Sequence, residues 1–317
     1  MGLKDQKFKM LKFGDNTQGA SERFMLGGLI KAVRAFFLFK RRKGDLLAGC
    51  ATFFAVLSFC PVLLLLVSAM SMILGDGPEA QEMVIQTFRN SFPQLAKWIV
   101  DSVSTILSNQ LQSNPGRNVL NIIFMLYSSL GMVATMMFGL DVLSKEEPKG
   151  GFIFEDMKAM VSGALLYGFM LMLIFTGQKT LLLNMVQQFT PWAVSSIEFL
   201  NRFNALPVIF SLGFFTIFYK WTILLPLSWK DSFKGAMTFV ACLMAGKSFY
   251  WVYIQLMRAD IQANYGNFET LITAVLWVYF MMCAFFYGAS MAALPHLEHS
   301  TKPNASETPE IPLDKVA

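Results

Sequence analysis

Six apolar runs separated by polar or charged stretches organise the chain: Leu46–Leu74, Val119–Leu143, Ala159–Leu183, Leu206–Leu225, Gly235–Leu256 and Thr270–Leu294. Each is near or above the ~20 apolar residues a helix needs to cross hydrocarbon. Gln178 and Lys179 interrupt the end of the third run, and Lys220 lies inside the fourth. The pattern predicts an all-α, polytopic membrane helical bundle with about six transmembrane helices over residues 45–296. Ahead of it, Leu26, Leu29, Ile30, Val33, Phe36 and Phe37 recur at helical spacing, with Lys31 and Arg34 off the stripe. This predicts an amphipathic helix over 23–44 lying in the membrane interface.

The first long connector, about 76–118, has its own apolar face. Leu95, Trp98, Ile99, Val103 and Ile106 follow Phe92-Pro93, a helix-start signal. One or two amphipathic helices are expected there on the outer face, either capping a cavity or lying on the surface as a spacer. Thr190-Pro191 offers an N-cap and first-turn pair for another short helix. Residues 1–22 and 297–317, the latter with Pro303, Pro309 and Pro312, are expected to be disordered.

Composition supports a membrane class: 55% of the 317 residues are hydrophobic, 15% are charged, and mean hydropathy is +0.48. A soluble domain of this size would carry more charge. The first run is too long and too far behind the start for a cleaved signal peptide. Cys50, Cys60, Cys242 and Cys283 all fall in apolar runs without metal-ligand spacing, so they are expected to be reduced and structural. Eleven Lys and Arg precede Asp45, including the cluster Lys40, Arg41, Arg42 and Lys43, whereas the later loops are near balance. The basic end is expected to face the cytoplasm, where it would meet anionic inner-leaflet headgroups. With six crossings both termini lie inside, and the sequon Asn304-Ala305-Ser306 stays unglycosylated.

Few residues suggest chemistry. Pro61 in the first run should leave the Leu57 carbonyl free and kink the helix, with Ser58 near enough to help satisfy the exposed backbone. Lys247 lies about twelve residues into the fifth run, which at ~1.5 Å per residue puts its Cα roughly 18 Å deep. It either snorkels to the surface or meets a headgroup or buried anion. Lys220 and Asp141 occupy the inner parts of the fourth and second runs and are expected to form an inter-helix ion pair, unless Asp141 pairs with Lys145 instead. These three are the candidate substrate-contacting residues. Ala284, Gly288 and Ala292 form a small-residue stripe for close helix approach, within the chain or in a homo-oligomer. No cofactor or metal site is expected. His296 and His299 flank Glu298 in the tail and are the only histidines, far short of a nuclease centre. The basic N-terminus lacks the interleaved aromatics of a nucleic-acid binder.

Several stretches together resemble the YihY/BrkB family of bacterial inner-membrane proteins. They are Ala51-Thr52-Phe53-Phe54 with Leu57-Ser58 and Pro61, then Phe218-Tyr219-Lys220, Pro226, Gly235-Ala236, Tyr253, Tyr265-Gly266, Leu276-Trp277 with Tyr279, and Tyr287-Gly288-Ala289. Two positions depart from the family pattern: Ser290 stands where a Glu is frequent, and Lys220 where an Arg is usual. The resemblance implies a six-span inner-membrane fold. It also implies links to virulence, serum resistance and envelope lipid export, and an old ribonuclease BN label that the chemistry of this chain does not support. A transporter or flippase of a lipid-like or other amphiphilic envelope component is the expected function. A non-transporting envelope scaffold is the alternative, and an open hydrophilic cavity reaching Lys247 would separate the two.

Overall fold

The computed structural model describes residues 27–74, 81–86, 101, 105, 115–144, 152–177, 205–266 and 268–300. Nearly all of them are helical. Helix α1 covers 27–41, α2 Gly44–Leu57, α3 Phe59–Leu74, α4 Pro115–Ser144, α5 Phe152–Gly177, α6 Ala205–Thr222, α7 Trp229–Tyr265 and α8 Phe268–Ser300. The helices expected within 76–118 lie mostly outside the described residues, apart from the short helical segment 81–86 and the start of α4. Residues 1–22, the segment around Thr190 and residues 301–317 also lie outside them.

Among the described residues, three segments are long and apolar enough to cross a membrane: Met157–Ile174, Ala205–Thr222 and Leu271–Glu298. A fourth is added if Gly44–Leu57 and Pro61–Val67, inclined at 55°, form one broken span. The protein is thus an all-helical, multi-pass membrane protein. The remaining two expected crossings fall short by this criterion. Helix α4 contributes a shorter apolar stretch, Leu130–Ser144, and Lys247 lowers the hydropathy of α7 at its middle.

Two expectations are corrected. The first run is two helices, with Ser58 at the break; its N–H donates to the Phe54 carbonyl at 2.8 Å, and its carbonyl accepts from Val62 N–H at 2.9 Å. Pro61, three residues on, has no N–H to hold Leu57 in register, so the helix cannot continue straight through. At the other end α8 is helical through Ser300, so 297–300 belongs to the bundle rather than to a disordered tail.

Local chemistry sets the boundaries of the longest helices. The Ser228 hydroxyl donates to Asp231 Oδ2 at 2.9 Å, and Asp231 N–H donates back to Ser228 Oγ at 3.2 Å, a capping box that starts α7. Burial raises the Asp231 carboxyl, but the hydrogen bonds from Lys234 and Ser228 outweigh it and hold the group below the usual carboxylate range. Helix α7 has 37 residues, about 55 Å at ~1.5 Å per residue, so it outruns the ~30 Å hydrocarbon layer. It ends at Gly266, whose φ of 55° lets the chain reverse into α8. Gly266→Ala is expected to cost about 1 kcal/mol, because a Cβ is disfavoured in this left-handed region even though nothing crowds it. Thermal unfolding in detergent would test this; an unchanged midpoint would refute the strain argument.

Helix α8 is the hub. It packs against α7, α2 and α4, while α6 joins α7 to α5. The main core runs through Phe215, Phe218, Tyr219, Phe239, Phe285 and Phe286. A smaller cluster joins α3 (Leu63, Leu66, Val67) to Met83, Val84 and Ile174.

Candidate functional site

Three stretches that carried the family resemblance meet at one helix contact. A Cβ built on Gly235 of α7 would lie 2.7 Å from the Gly288 carbonyl and 2.8 Å from Ala292 Cβ. A Cβ on Gly288 of α8 would lie 2.8 Å from the Gly235 carbonyl and 2.8 Å from the Tyr219 hydroxyl. Only glycine permits that approach, and the buried Ala236, Ala284, Ala289 and Ala292 extend the contact. The neighbour of the small-residue stripe is therefore internal. Tyr219 closes the site from α6: it is fully buried, and its hydroxyl donates to the Phe285 carbonyl at 2.8 Å. Ser290 is also fully buried, and its hydroxyl donates to the Phe286 carbonyl at 2.9 Å, so this position adds no ionisable group. The arrangement is structural.

Cations gather at one end of the bundle, where they meet helix ends. Arg42 donates to the Val142 carbonyl in the last turn of α4 at 3.3 Å, and Lys158 to the Thr222 carbonyl at the end of α6 at 2.8 Å. Terminal carbonyls lack intrahelical partners and carry the negative end of the helix dipole, so each cation answers both needs. Sequence reasoning assigned such residues to topology and missed this second role. Lys220 is a correction: its ammonium donates to the Leu227 carbonyl and lies 5.9 Å from the Trp229 ring centroid. It serves the α6–α7 connection rather than pairing with Asp141, because α4 and α6 are not close packing neighbours. Asp141 lies half-buried in the last turn of α4, away from Lys247 in sequence and in helix packing.

Helix α1 docks at this same end. Tyr287 of α8 donates its hydroxyl to the Ala32 carbonyl at 3.0 Å, and Arg34 pairs with Glu298 at 3.0 Å. Glu298 is thereby engaged in an exposed ion pair. Ala35 and Phe39 are buried, while Leu29, Ile30, Val33, Phe36 and Phe37 stay exposed. That apolar face turned away from the bundle is the geometry of a helix lying against an apolar medium.

Lys247 stands apart. It lies mid-way along α7 and is exposed, and among the described residues it has no hydrogen-bond or ion-pair partner. The described core of the bundle is filled by aromatic rings; Phe215 and Phe239, for instance, are 4.5 Å apart. On another face of α7, this helix and α8 enclose an open apolar groove of about 330 Å³, lined by Gly246, Phe249, Tyr253, Trp277, Tyr279 and Phe280. Trp277 stacks on Phe280 with centroids 5.6 Å apart. A Cβ at Gly246 would fall 2.0 Å from the Phe280 ring, so this glycine lets the ring rest on α7. Tyr265 is exposed at the α7–α8 turn, next to Gly266. The groove has no regular sequence signature, since its lining comes from two helices that meet only in the folded bundle.

A family model described as Virulence factor BrkB matches residues 35–311. The chain belongs to the Virulence factor BrkB family. The matched range takes in the end of α1, all of α2 to α8 and the Gly235–Gly288 contact, so the helix arrangement described above is that of a BrkB family member. Searches of curated proteins and of solved structures found no match.

Proposed function

We propose that this BrkB family membrane protein moves an amphiphilic envelope component with an anionic head across the inner membrane, along the lateral face of α7 and α8 rather than through a central channel. The observation that carries this reading is Lys247: an ammonium midway along α7, exposed and, among the described residues, without a protein partner. A lysine at mid-membrane costs about 2.5–3.5 kcal/mol on insertion scales, and such groups mark substrate or ion pathways. The energy is recovered when an anionic headgroup meets it. No catalytic step, nuclease activity or cofactor belongs to this proposal.

Six crossings, both termini cytoplasmic, complete the proposal. The contacts from Arg42 to Val142, Lys158 to Thr222 and Arg34 to Glu298 bring the entry of α2, the exits of α4, α6 and α8, and the entry of α5 to one end. That alternation suits six antiparallel passes, with the basic end facing anionic inner-leaflet headgroups.

The test is transbilayer movement of fluorescent phospholipid and lipid A analogues in proteoliposomes, comparing wild type, Lys247→Ala and empty vesicles. Movement well above empty vesicles, lost in a Lys247→Ala protein that remains monodisperse, is the expected result; wild-type movement at the level of empty vesicles refutes transport of these lipids. A second reading, a non-transporting envelope scaffold, is favoured by the solid aromatic core and would gain from that negative result.

A further inference from the structure

We infer that α1 is a three-sided helix that holds anionic phospholipid headgroups on Lys31 and Arg41 while its apolar side enters the leaflet and its third side grips the bundle. The site rests on the basic end lying at a membrane surface and is independent of transport along α7 and α8.

The three sides follow from helix geometry. At about 100° per residue, the exposed Leu29, Ile30, Val33, Phe36 and Phe37 share an arc of roughly 120°. Ala32, Ala35 and Phe39 share a second arc of roughly 60°. Ala35 and Phe39 are buried and the Ala32 carbonyl accepts from Tyr287, so this side faces the bundle. Lys31, Arg34 and Arg41 occupy the remaining sector, an arc of roughly 80°. A helix between bundle and water would need one apolar side; α1 has two, with the cations between them.

The position of α1 identifies the medium on its free apolar side. Tyr287 and Glu298, which hold Ala32 and Arg34, both belong to the membrane-crossing segment Leu271–Glu298. The helix therefore lies along the closing turns of that segment, where hydrocarbon gives way to headgroups. An apolar face at the acyl boundary beside a Lys- and Arg-bearing face is the arrangement of an interfacial helix.

The cations divide by what they touch. Arg34 pairs with Glu298, Lys40 pairs with Asp45, and Arg42 donates to the Val142 carbonyl. Those three are committed to the protein. The side chains of Lys31 and Arg41 are exposed and, among the described residues, make no hydrogen bond or ion pair. Residues 27–41 contain no carboxylate, so two copies meeting through α1 would set the same cations against one another. A soluble acidic partner would answer the cations and leave Leu29, Val33 and Phe37 in water. An anionic lipid satisfies both sides.

The experiment uses the full-length protein in phosphatidylcholine nanodiscs doped with phosphatidylglycerol or phosphatidylcholine carrying a diazirine near the headgroup end of one acyl chain. Peptides labelled on illumination are mapped by mass spectrometry. Each cation near an anionic lipid contributes about fivefold in partitioning, so the phosphatidylglycerol probe is expected to label 27–43 about tenfold or more above the phosphatidylcholine probe. Lys31→Gln with Arg41→Gln should lower that ratio about fivefold or more. Lys40→Gln with Lys234→Gln removes the same charge from cations already paired with Asp45 and Asp231, and should leave the ratio within about twofold of wild type.

Equal labelling of 27–43 by the two probes on wild type overturns the site, a comparison that needs no variant to fold. So does an equal loss in the two double variants, which would reduce the effect to net charge. Absent label on Leu29, Val33 and Phe37 overturns it as well, in favour of self-association where Phe37→Cys copies form a disulfide and of a soluble partner where they do not. Headgroup-selective labelling of α1 without transbilayer movement keeps this site and retires transport; movement with unselective labelling does the reverse.

Discussion

Gly288→Val is expected to leave little folded protein. The first atom added to Gly288 would sit 2.8 Å from the Gly235 carbonyl, 2.8 Å from the Tyr219 hydroxyl and 3.0 Å from Phe239 Cβ. The first of these is backbone, so relief requires α7 and α8 to move apart, and these two helices share the most extensive contact in the bundle. Overpacking a well-filled core costs about 1–3 kcal/mol and occasionally more. Gly288→Ala should fall inside that range and Gly288→Val at its top or beyond, because the branched side chain also displaces the Tyr219 hydroxyl from the Phe285 carbonyl. In membranes the loss is not offset by a hydrophobic drive between helices, since lipid tails solvate the separated faces equally well. Gly213→Ala provides the internal control: a Cβ there meets nothing within 4 Å, and alanine improves helix propensity by up to ~1 kcal/mol. Monodisperse protein remaining after a thermal ramp in mild detergent would measure all three. Gly288→Val surviving as well as Gly213→Ala would show that the α7–α8 approach is looser than described.

The second large effect is at Tyr219. Among the described residues it is the largest of the fully buried side chains, and its ring centroid lies 5.4 Å from that of Phe285 and 6.2 Å from that of Phe215. Tyr219→Ala should cost about 3–5 kcal/mol, the range for removing a buried aromatic ring and leaving a cavity. Tyr219→Phe keeps the ring and removes only the hydrogen bond to the Phe285 carbonyl, so about 0.5–1.5 kcal/mol is expected. The pair of variants separates packing from hydrogen bonding at one position. If Tyr219→Phe unfolds as early as Tyr219→Ala, the hydroxyl governs the site and the packing argument fails.

Both predictions concern residues that carried the family resemblance, and both give them structural duties. Gly235, Ala236 and Gly288 let two helices touch, Tyr219 bolts a third to them, and Gly266 turns the chain between α7 and α8. Tyr253 and Trp277 differ, since they face the groove rather than the core. A substitution that spares stability while altering lipid behaviour is therefore expected among Tyr253, Trp277 and Lys247, and not among the glycines.

Helix positions were legible in the sequence because a bilayer demands long apolar runs: Leu206–Leu225 became Ala205–Thr222, and Thr270–Leu294 became the body of Phe268–Ser300. The break in the first run was legible only in part. Pro61 announces lost backbone hydrogen bonding, but whether a helix bends or divides depends on what packs around it, and here the division falls at Ser58. The capping box at Ser228 and Asp231 is a local pattern and could have been found from the letters alone.

The sequence by itself determined an all-helical membrane protein, its basic end and its small-residue stripe, because these follow from local hydrophobicity, charge and residue size. Only the tertiary structure decided what each feature faces. It turned the stripe toward Gly235 within the same chain, drew Lys220 to Leu227 and Trp229, and left Lys247 exposed outside the core. Periodicity fixes the face of a helix on which a residue lies. The neighbour on that face is chosen by contacts between residues far apart in the chain, and these exist only once the helices have packed.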